Sequence, residues 1–136
     1  MSTSVIDLWP EDLKVPDETT PALLMRQQAE LLGQRTKGRV EAEVITQALE
    51  GGRLAHHFRF KATALGGYVH SLFIAIHSKN HPYPVTVEQV VPRSAKILQG
   101  TAPIMTCNSE QEFEQVLRDL FASSEIRNAV ESLLAA

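Results

Sequence analysis

The sequence predicts an α+β fold: an N-terminal helix, an antiparallel four- to five-stranded meander sheet, and two C-terminal helices packed on the sheet. Three observations carry this. Residues 53–78 hold two runs rich in aromatic and β-branched residues that meet at Gly66-Gly67, a pair able to adopt the positive φ angles of a tight turn. Residues 39–49 alternate apolar and polar side chains at the period of a strand. Residues 109–134 twice carry apolar side chains at the spacing of an amphipathic helix. The chain of 136 residues fits one domain, over 20–136, preceded by an extended N-terminal arm over 1–19.

Pro10, Pro16 and an acidic, polar majority keep the arm extended, with at most one helical turn after Trp9-Pro10. Its Ile6, Leu8, Trp9 and Leu13 are too apolar for a free tail, so the arm is expected to pack on the domain or on a neighbouring subunit. Thr20-Pro21 starts a helix running to about Lys37, with Leu24, Met25, Gln28, Ala29, Leu31 and Leu32 as its broad inward stripe and Gly38 as terminator. Gly33 inside it costs about 1 kcal/mol against alanine, a loss that close packing would explain.

The strand over 39–49 turns Val40, Ala42, Val44 and Thr46 inward and Arg39, Glu41, Glu43 and Gln47 outward. Glu50-Gly51-Gly52 returns the chain into the central hairpin. There Leu54, His56, Phe58, Phe60 and Ala62 share an apolar face, while Arg53, His57, Arg59 and Lys61 share a basic one. On the next strand Leu72, Ile74 and Ile76 point one way and Phe73 and Ala75 the other, so both faces call for cover, from a helix of the same chain or from a second subunit. A rigid loop, Lys79 to Pro84, precedes a fourth strand over Val85–Val91; residues 92–107, limited by Pro92 and Pro103, read as a short edge strand or irregular chain. Asn108 or Ser109 caps a helix with stripe Phe113, Val116, Leu117, Leu120 and Phe121, Ser109-x-x-Glu112 matching a capping box, and Ser123 or Ser124 caps a second with stripe Ile126, Ala129, Val130, Leu133 and Leu134. Both stripes are expected to be buried.

A single cysteine, Cys107, excludes an internal disulfide, and Asp7, Glu11 and Asp12 stand where a signal peptide would need bases and then an apolar run; a cytoplasmic, untargeted protein with no membrane partner is expected. The formal charge of −3 is unevenly spread: residues 53–98 hold six bases and one acid, and the segments on either side are acidic. The sheet is therefore basic and its helices acidic, an arrangement read first as internal balance.

The basic row Arg53, His57, Arg59 and Lys61 is the candidate ligand-binding surface, suited to an anion or nucleic acid. It lacks interleaved aromatic residues for base stacking, and Glu41 and Glu43 on the neighbouring strand are placed to pair with it. Of the five histidines, His56, His57, His70 and His77 fall on the hairpin, whose pairing brings the ends carrying His56, His57 and His77 together; a zinc site needs three or four converging ligands, so structural histidines are expected and no metal or cofactor. Cys107 precedes a helix N-terminus, which can activate a thiol, yet an inert buried cysteine is the stronger reading. Ser71 and His70 are adjacent on a strand and cannot act on each other, and Glu41 and Glu43 share a wet face unsuited to acid–base work. No residue is assigned a catalytic role.

The pattern Leu8-Trp9-Pro10, Pro21-Ala22-Leu23-Leu24 to Gln28-Ala29, Leu32-Gly33 and Tyr83-Pro84-Val85 resembles a family of short bacterial hypothetical proteins. The resemblance spans nearly the whole chain and implies no activity and no functional residues. The function expected is that of a small non-enzymatic binding or accessory protein that self-associates or binds another protein. An anion- or nucleic-acid-binding module on the basic face is the second candidate, and an enzyme using Cys107 or the hairpin histidines the third.

Overall fold

Thr20 caps the first helix: its hydroxyl accepts from the Leu23 N–H, and Pro21 occupies the first turn, where a missing N–H leaves no bond unmade. The computed structural model, which describes residues 5–13, 19–62, 66, 68–91 and 100–135, carries this helix, α1, over Pro21–Arg35. It ends two residues before Lys37. Lys37 itself takes the left-handed conformation (φ 54°) and donates to the Gln34 carbonyl, while the Gly38 N–H donates to the Gly33 carbonyl at 2.8 Å. The terminator is thus Lys37 with Gly38 behind it, rather than Gly38 alone.

Five strands follow, β1 (Glu41–Leu49), β2 (Arg53–Ala62), β3 (Tyr68–Ser78), β4 (His81–Val91) and β5 (Gly100–Cys107), and then α2 (Glu110–Ala122) and α3 (Ser124–Leu134). The strands lie side by side in chain order with every pair antiparallel, which is the meander. The segment from His81 to Pro84, expected as a loop, is instead the start of β4, and Lys79-Asn80 alone turn the chain. Its prolines are tolerated because the β3–β4 ladder is interrupted between Ile76 and Ser78, opposite Pro82 and Pro84. Chain left open between strand and irregular structure is strand from Gly100 onward, on the sheet edge where Pro103 has no further strand beside it among the described residues; residues 92–99 lie outside the described residues.

All three helices contribute to one buried cluster on one face of the sheet. Phe58 and Phe60 of β2, Phe73 and Ala75 of β3, and Val85 and Val87 of β4 form its floor, roofed by Leu24 and Met25 of α1, Phe113 and Leu117 of α2, and Ile126 of α3. Leu72 does not share a face with Ile74 as strict alternation requires. A register shift opposite Phe58 and Arg59 makes it the inserted residue of a bulge, and it joins the buried cluster. Ile74 and Ile76 remain half-buried on the other face, over which no described helix lies.

The C-terminal caps match the sequence. The Glu112 N–H donates to Ser109 Oγ at 3.3 Å, and the Glu112 carboxylate accepts from the Asn108 N–H. Ser123 ends α2 and caps α3, its Oγ accepting from the Ile126 N–H at 3.4 Å. Of the α2 stripe Phe113, Val116, Leu117 and Leu120 are buried and Phe121 is half covered, while on α3 only Ile126 is buried; Ala129, Val130, Leu133 and Leu134 are half covered.

Gly33 has no close neighbour: a Cβ built there meets nothing within 4 Å. Packing therefore does not explain it, and Gly33→Ala should stabilise the fold by about 0.5–1 kcal/mol. A higher urea midpoint at unchanged slope is the expected reading, and a lower one would contradict it.

Candidate functional site

Alternation along β2 puts the predicted basic row on the face away from the helices, and the register sets it against acids. Glu43 pairs with Arg59 and Glu41 with Lys61 as cross-strand neighbours. Arg59 Nε donates to Glu43 Oε1 at 2.6 Å with each side chain about one-third exposed, a contact worth roughly 0.2–1 kcal/mol. His57 Nε2 donates to Gln47 Oε1 at 3.2 Å. Arg53 is exposed at the far end of the row, opposite Leu49 and Ser78. The row is thus brought together on one face, with Arg59 and His57 already held by partners on β1 and an apolar centre of Ile45, Ala55, Ile74 and Ile76 beside it.

The hairpin does gather two histidines, on the core face. His56 and His77 are 3% and 9% exposed, with their Nε2 atoms 2.7 Å apart. The bond directions follow from the ends of the chain of contacts. The Ser78 carbonyl can only accept, so His77 Nδ1 donates to it at 2.7 Å, and His77 Nε2 is then the acceptor for the His56 Nε2–H. His56 Nδ1 then accepts from the Thr46 hydroxyl at 2.8 Å. Burial, with His77, Arg26 and His57 nearby, lowers the His56 pKa to about 4, so the neutral ring dominates at pH 7. Both nitrogens of both rings are engaged. His57, one residue along, faces the other side. Among the described residues no three His, Cys, Asp or Glu side chains gather to hold a metal ion.

Cys107 is fully buried in the cluster, and burial, with Glu112 nearby, raises its thiol pKa, opposing the activation that a helix N-terminus could supply. Its surroundings are those of a packing residue.

A concave site that sequence reasoning assigned to the core lies between α1 and the C-terminal helices. A cavity of about 400 Å³ has Leu31, Leu32 and Arg35 on one wall, Phe58 and Phe60 as floor, and Phe121, Ile126 and Val130 on the other wall. A second cavity of about 250 Å³ continues it past Gln28 and Phe121 to Leu24, Glu114, Leu117 and Arg118. Together they form an apolar groove with aromatic floor and charged lips, of the size and composition of binding clefts. Neither Arg35 nor Arg118 has a carboxylate partner among the described residues. One sequence signal was available: Gln28 and Arg35 interrupt the α1 stripe where a fully buried helix would stay apolar.

The arm is the complementary feature. Val5, Leu8 and Trp9 are 90%, 88% and 74% exposed, and Ile6 and Leu13 are also largely in water, so the described arm residues do not pack on their own domain as one expectation had it. Local bonds run within it: the Trp9 N–H donates to Asp7 Oδ1 and the Leu13 N–H to the Pro10 carbonyl. No helix among the described residues is long and apolar enough to cross a membrane. No family model, curated protein or solved structure matches the chain.

Proposed function

We propose that the chain is a small non-enzymatic binding protein that associates with copies of itself. The carrying observation is the arm, an apolar segment with its lone tryptophan in water beside a domain that has unfilled apolar relief. Exposed apolar surface of this kind belongs to a contact with another molecule. A half-covered α3 stripe and the half-buried Ile74 and Ile76 on the uncovered sheet face support the same reading. The basic row supports an anion or nucleic-acid site less well, since Arg59 is held by Glu43 and Lys61 lies opposite Glu41. Light scattering at micromolar concentration should give at least twice the 15.1 kDa of the chain, with the mass falling on dilution. A constant monomer mass would end the proposal.

A further inference from the structure

We infer that the arm of one copy, residues 5–13, docks in the groove between α1 and the α2–α3 pair of a second copy, with Trp9 as the anchor; this rests on the self-association reading. Shape, charge and position argue for it. The larger cavity, about 400 Å³, has room for an indole, and its half-covered Phe121, above the buried Phe58 and Phe60, gives an aromatic face for tryptophan to pack against. Residues 5–13 contain three acids, Asp7, Glu11 and Asp12, and no base, whereas the groove lips carry Arg35 and Arg118 against one acid, Glu114. Charge therefore favours this segment along this groove. The α1 start is fixed, since the Tyr83 hydroxyl donates to the Thr19 carbonyl at 2.7 Å, so the arm leaves the domain from an anchored point. Its own apolar side chains stand in water while the groove stays unfilled, and a second copy supplies the missing half of the contact. Exchange of arms in both directions gives a closed two-fold dimer in which each groove is filled.

Trp9 is the chain's only tryptophan, so its emission reports the arm directly. The test compares mass by light scattering with tryptophan emission over a dilution series, for the full chain and for Trp9→Ala and Leu31→Glu. Leu31 is 47% exposed on the groove wall, so that change should leave folding intact, as circular dichroism would verify. Wild-type emission should move to the red on dilution in step with the loss of mass. Each variant should weaken association by at least ~10-fold, as loss of an anchor at the centre of an interface does, and Leu31→Glu should leave Trp9 emitting in the red at every concentration. A wild-type chain monomeric throughout would overturn both this inference and the self-association reading, including the case in which buried Trp9 emission shows the arm folding onto its own groove. A dimer that survives Trp9→Ala undiminished, or whose Trp9 emits as in water, would overturn the arm inference alone and point to the Ile74 and Ile76 face instead.

Discussion

Phe58→Ala is expected to cost about 3–5 kcal/mol of folding stability. Phe58 is 1% exposed at the centre of an aromatic group: its ring stacks on Phe73 with centroids 5.1 Å apart, lies 5.5 Å from Phe121, and meets Phe60 edge-on at 6.3 Å. It joins β2 and β3 to α2 beside the bulge that holds Leu72. Truncation removes the transfer free energy of the ring and leaves a void that these rigid neighbours close only in part. The cavity beside it makes a further prediction about relaxation. Since Phe58 also floors the groove, the new void merges with open space, and the cost should lie nearer the lower end of that range than for Phe73→Ala, whose ring is fully buried and borders no cavity described above. Urea unfolding followed by circular dichroism gives both values from midpoints at constant slope. A loss below about 1 kcal/mol at Phe58 would mean that the aromatic group does not hold the layers together.

The fold was legible wherever local chemistry and period agreed. Gly51-Gly52 and the loop at Gly66, with positive φ at the described glycines, set the two hairpins, and alternation through Phe58 and Phe60 gave the correct buried face. It failed where the ladder departs from its period: the bulge that turns Leu72 inward and the interruption that admits Pro82 and Pro84 to β4 depend on what lies across the strand, which one segment does not encode. For the candidate site the order reverses. Of the visible features, Arg59 and His57 of the basic row proved to be held by Glu43 and Gln47, and His56 and His77 by Thr46, each other and Ser78. The groove was read as core because Leu31, Leu32 and Val130 have helical spacing whether or not a neighbour covers them, and cover is a tertiary property.

Acid should find its weak point at the two buried imidazoles. The chain from Thr46 through His56 and His77 to the Ser78 carbonyl is complete with His56 neutral, its Nε2–H donated to His77 and its Nδ1 accepting from Thr46. A proton on each ring would set two N–H groups against each other across 2.7 Å. Unfolding restores the ordinary His56 pKa of 6.5 from about 4. Above pH 6.5 neither state carries the proton and this contribution to stability is fully present. As pH falls from 6.5 toward 4 the unfolded state binds the proton first, so stability declines through that window and levels off below it. The loss should reach about 2 kcal/mol. Restricting the comparison to pH 5–6.5 keeps most carboxylate titration outside it. There, His56→Phe should flatten the dependence of the urea midpoint on pH, whatever it does to stability at pH 7. A variant with the wild-type slope would place the acid sensitivity elsewhere and leave the paired rings with a purely packing role.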